Sequence, residues 1–394
     1  MIWWSLYALA WTGAAALSLV FTLVCRRAAP CLGFLDMPLG EAHKQHRTPT
    51  PVLGGVAMFL AWVLTIAAGL AVATFGRAWL PGSVATLLPG VAAVGGRLGV
   101  IVAAALALVL LGMADDRCRL GAGTKLLGQV VVAAAVAAWG VRITFFCPIP
   151  LVTWTVTAFW LLLIINAINF LDNMDGLAAG TGAIAALLFA FVAGLREQHF
   201  VALLSAVTCG SACGFLVFNR PPASIFMGDA GSHLLGFLLA VIGALTTFYA
   251  PGETLAGPMS QTHAPVLIPL LVLAIPIFDL AAVVFIRARQ HRPVYVGDHQ
   301  HISHRFEGMG LSRPQSVLQV HLLGLAIGAG AVLLLWLPLT GVLVVLLQAA
   351  AMITLVTLLH TRRFGGRTPV APPAPAATSD RLEERADSAR SVPP

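Results

Sequence analysis

Charge is what this 394-residue chain lacks: Asp, Glu, Lys and Arg together make up 10% of it, against about 25% in an ordinary soluble domain. Hydrophobic residues reach 59%. So few charges cannot cover the surface of a water-soluble fold of this length. Intrinsic disorder, a nucleic-acid binder and a secreted disulfide scaffold are excluded by the same arithmetic. Cysteine is scarce too. The six (Cys25, Cys31, Cys118, Cys147, Cys209, Cys213) show neither CxxC nor zinc-ligand spacing, and they read as small buried hydrophobes. The first apolar run has no basic segment before it, so it reads as a retained helix rather than a cleaved signal. No short internal repeat marks a repeat-built transporter.

What the chain has is long apolar runs. A spanning helix needs about 20 mostly apolar residues, and eleven stretches qualify: 3–24, 52–74, 98–114, 124–141, 151–169, 177–195, 199–218, 230–250, 265–286, 317–337 and 339–360. The Gly/Pro-rich stretch 76–97 reads as a loop. The expected fold is therefore all-α, a polytopic integral membrane protein of about eleven transmembrane helices. Residues 1–366 form its membrane domain and 367–394 a disordered, Pro/Ala-rich tail. Placed on this scheme, nineteen Lys and Arg fall on one side and four on the other. By the positive-inside rule the N-terminus is outside and the C-terminus cytoplasmic.

The acidic residues carry the functional signal. Apart from Glu197, Glu253 and the tail, they fall on the cytoplasmic side, several at the ends of apolar helices, where burial is costly and solubility does not require them. Asp115-Asp116 ends the third span, with Arg117, Arg119 and Lys125 nearby; two adjacent carboxylates need a cation to stay ionised, and Mg²⁺ is the common one for hard oxygen ligands. Asn166, Asn169 and Asp172 recur every third residue, forming one polar stripe on an apolar helix, with Asn173, Asp175 and Gly176 following. Interhelical hydrogen bonding would explain one such Asn; it strains to explain them all.

Phe226-Met227-Gly228-Asp229-Ala230-Gly231 precedes the eighth span. The flanking glycines allow close backbone approach and offer N–H groups to an anion, while Asp229 could hold a metal. The simpler reading is an N-cap with turn glycines. The longest cytoplasmic loop carries Asp298-His299-Gln300-His301-Ile302-Ser303-His304-Arg305, a density of imidazole and guanidinium suited to phosphate. No Cys accompanies these His, which weighs against zinc. His43-Lys44-Gln45-His46-Arg47 is a basic cluster for an anionic headgroup or a phosphorylated substrate, and Gly54-Gly55 reads as helix packing. Jointly the inventory fits Mg²⁺-assisted phosphoryl transfer.

Taken in order, Asp115-Asp116, Asn169-xx-Asp172-xx-Asp175-Gly176-Leu177, Phe226–Gly231 and His301–Arg305 resemble the polyprenyl-phosphate N-acetylhexosamine-1-phosphate transferase family, from about His43 to Ser316. The run His301-Ile302-Ser303-His304-Arg305 is more similar to the undecaprenyl-phosphate GlcNAc-1-phosphate branch than to the phospho-MurNAc-pentapeptide transferases, which carry three consecutive histidines. Many members of the GlcNAc-type branch have His where Ser303 stands, so no role is carried onto that position.

The resemblance implies that a lipid phosphate attacks the β-phosphorus of a UDP-N-acetylhexosamine, giving polyprenyl-diphosphate-sugar and UMP. It implies Mg²⁺, with Mn²⁺ as a substitute, held by Asp229 and Asp172. Asp115 or Asp116 would orient or deprotonate the lipid phosphate, and His301 would join Asp115, Asp116 and Asp172 as catalytic. Lys44, Asn166, Asn169, Asp175, Gly176, Phe226, His304 and Arg305 would bind substrate. The partners implied are the polyprenyl phosphate, the UDP-sugar and the bilayer, with a second copy of the chain as a candidate and no nucleic acid. The location implied is the inner (cytoplasmic) membrane, with the site on its cytoplasmic face. The rival readings are a phospho-MurNAc-pentapeptide transferase, an ion-coupled transporter and an intramembrane aspartyl protease. A transporter would place charges near the midplane, whereas here they sit at one edge, Asp279 being the deepest.

Overall fold

Leu177–Leu195 folds as one uninterrupted helix of 19 residues, about 28 Å long at 1.5 Å per residue, a match to the ~30 Å hydrocarbon core of a bilayer. Most of the chain follows that pattern. The computed structural model describes residues 2–37, 49–76, 82, 88–143, 149–247, 264–291 and 301–364. In chain order they form α1 (Ile2–Leu32), β1 (Leu35–Asp36), β2 (Thr50–Pro51), α2 (Gly54–Phe75), α3 (Leu88–Cys118), α4 (Ala122–Ala138) and α5 (Pro150–Leu171). There follow α6 (Leu177–Leu195), α7 (His199–Asn219), α8 (Gly228–Thr246), α9 (Ile268–Val272), α10 (Ala274–Arg289), α11 (Ile302–Gly308), α12 (Arg313–Leu333) and α13 (Leu339–Phe364). Among the described residues nine helices are long and apolar enough to cross a membrane. The chain is an all-α, multi-pass membrane protein; among the described residues its one sheet is the two-residue antiparallel pair β1–β2.

Three expectations are corrected. The stretch 76–97 is not all loop: α3 begins at Leu88. The stretch 265–286 is not one helix. A 3₁₀ turn (Ala264–Leu267) leads into α9, and a break at Leu273 separates α9 from α10, because Pro276 has no N–H to return to the carbonyl of Val272. Nor are all the cysteines buried: Cys25 and Cys209 are, but Cys31 and Cys118, each in the last turn of its helix, are exposed. Cys147, the cluster His43–Arg47 with Lys44, and the tail 367–394 lie outside the described residues. Of the described residues, 354–364 at the end of α13 fall in a second unit.

The centre of the first unit is α8. Every residue from Ala230 to Thr246 is buried, against α2, α3, α5, α6 and α7, as expected of a helix that beyond His233 is apolar on all sides. Its N-terminal turn is approached very closely. A Cβ on Gly55 of α2 would lie 2.1 Å from the Gly231 nitrogen, and one on Gly112 of α3 would lie 2.3 Å from the Ala230 nitrogen. The Gly54-Gly55 pair is thus packing, as the sequence suggests, and this packing brings α2 and α3 against the turn that carries Asp229.

Candidate active site

Polar side chains from four helices meet at one end of the bundle. Asp115 and Asp116 close α3, Lys125 opens α4, Asn169 stands in the last turn of α5 and Asp229 in the first turn of α8. The short link 119–121 turns the chain back, so Lys125 returns to the carboxylates it follows in sequence. Its Nζ lies 3.0 Å from Asp115 Oδ2 and 2.7 Å from Asp229 Oδ2. Asn169 Nδ2 donates 2.5 Å to Asp229 Oδ1 and 2.8 Å to Ser232 Oγ. Both oxygens of Asp229 are therefore engaged, one by an ammonium and one by an amide.

The adjacent aspartates have different tasks. Asp115 Oδ1 accepts the Leu120 N–H at 2.7 Å while its other oxygen faces Lys125. Asp116 accepts two N–H groups at the start of α8, from Asp229 at 2.8 Å and Ala230 at 3.3 Å. These are the donors that the Gly-flanked loop offers to an anion. The anion they hold is Asp116, a carboxylate of the protein itself. Gly228 (φ 66°) makes the turn that aims them.

Asp172 caps the C-terminus of α5, half-buried and close enough to Asp229, Asp116 and Asp175 to feel their charge. Burial, then repulsion from those three carboxylates, pushes its carboxyl up to about 8. Among the described residues no hydrogen bond to its side chain offsets this. Asp175 and Gly176 hold a turn: Asp175 Oδ2 accepts the Ala223 N–H at 2.9 Å, and the Gly176 N–H (φ 75°) goes to Asn219 Oδ1 at 3.0 Å. Phe226 pairs by its backbone with β2, its N–H donating to the Pro51 carbonyl at 2.9 Å.

The stripe Asn166–Asn169 divides between two layers. Asn166 does not reach the carboxylates. It donates 2.8 Å to Gln129 Oε1, and Gln129 Nε2 lies 3.0 Å from His233 Nε2. Gln129 and His233 stand four residues, about one helical turn, beyond Lys125 and Asp229. A neutral layer of amides and imidazole thus lies beneath the charged one, on the same three helices.

The histidine loop joins this end through α5. Ser303 Oγ donates 2.6 Å to Asn173 Oδ1, next to Asp172, and the His301 ring meets the edge of Phe170 at 6.2 Å between centroids. His301 Nδ1 lies 2.7 Å from Asp279 Oδ2. His304 Nδ1 is 2.9 Å from Glu307 Oε2, and Arg313 binds the other oxygen at 2.9 Å. Burial alone would push the Glu307 carboxyl up; these two partners outweigh it and hold Glu307 below its ordinary range. Arg305 is buried within reach of Asp279's charge. Burial pulls the guanidinium down from its usual value, and Asp279 opposes that.

Sequence reading missed Lys125 and Asp279 as site residues. Both gave a signal: a lone Lys starting an apolar helix nine residues after the Asp pair, and a lone Asp inside an apolar helix.

A family model described as glycosyl transferase family 4 matches residues 98–247. A Bacillus subtilis (strain 168) protein named probable undecaprenyl-phosphate N-acetylglucosaminyl 1-phosphate transferase is 30% identical over 352 residues, covering 85% of this chain and 88% of the relative. The chain belongs to glycosyl transferase family 4. Within that family, the decaprenyl-phosphate N-acetylglucosaminephosphotransferase of Mycobacterium tuberculosis (strain ATCC 25618 / H37Rv) is 33% identical, with 78% of each chain covered. The phospho-N-acetylmuramoyl-pentapeptide-transferase of Desulforudis audaxviator (strain MP104C) is 34% identical over a shorter match, 52% of this chain and 66% of its own. The family match spans the charged layer, from Asp115 and Lys125 through Asn169 to Asp229.

Proposed function

We propose that this family 4 enzyme transfers N-acetylglucosamine 1-phosphate from UDP-GlcNAc to a polyprenyl phosphate, at the cytoplasmic face of the inner membrane, as the first membrane step of an envelope-glycan pathway. The observation that carries the reading is the convergence of Asp115, Asp116, Asn169 and Asp229 around Lys125 at one end of the bundle. The longer match to GlcNAc-1-phosphate transferases than to the pentapeptide enzyme supports the sugar. The nineteen-to-four division of basic residues supports the cytoplasmic face.

A lipid-phosphate oxygen bonds to the β-phosphorus, and the bond from that phosphorus to the oxygen bridging to the α-phosphate breaks. UMP leaves with the bridging oxygen. A phosphate monoester is largely ionised at neutral pH, with a second pKa near about 6, so it needs little help from a base. The geometry favours positioning over proton abstraction for the Asp pair: Asp116 is engaged by two backbone N–H groups and Asp115 by Leu120 and Lys125.

Mg²⁺ fits this set. Among the described residues no three Asp, Glu, His or Cys side chains form a ready-made cage, but Mg²⁺ ordinarily takes one or two carboxylates plus water and substrate phosphates. Asp229 and Asp172 would hold it, with Mn²⁺ as a substitute, and bound there it would offset charge on the diphosphate. Lys125 pairs with Asp229 and Asp115 and lends a positive charge to the mouth of the site. His301, His304 and Arg305 would grip the diphosphate.

The test is UMP release by purified protein with Mg²⁺, a polyprenyl phosphate and a panel of UDP-sugars. Release is expected with UDP-GlcNAc and only when the lipid is present. Lipid-independent release would refute the mechanism, and inactivity with every UDP-N-acetylhexosamine would refute the function.

A further inference from the structure

Asp279 stands inside the apolar helix α10 with 1% of its surface exposed. A carboxylate there is costly unless its lone pairs are used. They are used by one short segment. Oδ2 takes His301 Nδ1 at 2.7 Å, and Oδ1 takes the Ile302 N–H at 2.6 Å. Ile302 is the first residue of α11 and His301 its N-cap, so the N–H accepted is one that the helix itself cannot satisfy. A carboxylate only accepts, so Nδ1 must carry the ring proton, which leaves Nε2 as the free nitrogen of His301.

We infer that Asp279 is a positioning residue that acts through His301, fixing both the angle of the ring and the tautomer that presents Nε2 to the substrate. This rests on the transferase reading for the task of His301, but not for the tautomer. Three features of the surroundings support it. The ring is wedged against the edge of Phe170, which belongs to the same helix end as Asn169 and Asp172. Ser303, two residues on, is fully buried and tied to Asn173, so the segment is fixed on both sides of Ile302. Arg305, one turn along α11, places a buried positive charge near Asp279. A carboxylate serving only to cap α11 needs the Ile302 bond alone; the second bond spends its other oxygen on an imidazole that belongs to the candidate catalytic set.

Two measurements test this. In protein labelled with ¹⁵N-histidine, the resonances lost in His301→Gln should show the Nδ1–H tautomer; an Nε2–H tautomer overturns the inference whatever the enzyme's activity. Asp279→Asn should lower kcat about 10- to 100-fold, the range seen when a carboxylate that orients a metal-binding histidine is lost. Asp279→Asn combined with His301→Ala should then be no slower than His301→Ala alone. Losses that multiply in the double variant, or a kcat within twofold of the parent in Asp279→Asn, refute action through His301. A parent protein that releases no UMP removes the transferase reading and leaves the tautomer result standing.

Discussion

Lys125, Asn169 and Asp229 occupy one level where α4, α5 and α8 meet; Gln129, Asn166 and His233 occupy the level one turn deeper on the same helices. The upper level is charged and the lower is neutral. The same backbone geometry serves both, so what separates them is access to water and to a charged substrate. An ammonium between two carboxylates is tolerable at the mouth, where a phosphate or cation can complete the balance. One turn down, a charge would face the full desolvation cost, and amides paired to amide and imidazole meet the need for hydrogen bonds without it. The upper level therefore reads as chemistry and the lower as the support that holds it.

Breaking the charged level should have the largest effect. Asp229→Asn leaves Lys125 with Asp115 alone, and turnover should fall by at least about 10³-fold, at the upper end for loss of one electrostatic group, with expression and helicity unchanged. Equal turnover would remove Asp229 from the site. Lys125→Met leaves Asp115 and Asp229 facing each other without a cation; kcat should drop about 10²-fold, and Lys125→Arg should recover part of it, read in the same UMP assay.

The deeper level should answer differently. Gln129→Leu leaves Asn166 with the Leu162 carbonyl alone and takes the partner from His233 Nε2, at about 1–3 kcal/mol for a buried group left unpaired, so the loss should show in thermal unfolding in detergent, with kcat kept within about tenfold. If Gln129→Leu silences the enzyme as fully as Lys125→Met, the division into chemistry and support is wrong. The smallest effect is expected outside the bundle core, at Glu307. Its carboxyl is held below the ordinary range by His304 and Arg313 against the opposing pull of burial, so its contribution is present above the unfolded pKa of about 4.3 and is lost as pH falls through the lower folded value. Glu307→Gln should cost no more than about 1 kcal/mol at pH 7, and the difference from the parent should close in unfolding scans below about pH 4.

Much of this was legible in advance. The helix Leu177–Leu195 coincides with its apolar run, and the Gly54-Gly55 pair packs as expected. One boundary failed for a reason of backbone chemistry: Pro276 breaks a run that hydropathy alone reads as continuous. The site was legible as a set of residues but not as a set of contacts. The three-residue spacing of Asn166 and Asn169 places both on one face, yet it cannot say that they serve different levels. Nor does an Asp pair reveal that one member caps a helix 113 residues away.

The sequence by itself determined that this protein lies in a membrane, that it is helical, and that its polar side chains gather toward one side, because hydropathy and helical period are properties of neighbouring residues. Only the tertiary structure decided that Lys125 stands between Asp115 and Asp229, that Asp116 takes the N–H groups of α8, and that Asp279 holds His301. Those pairings depend on how each helix is rotated and how closely glycines let it approach its neighbours, and that is a property of the packed bundle.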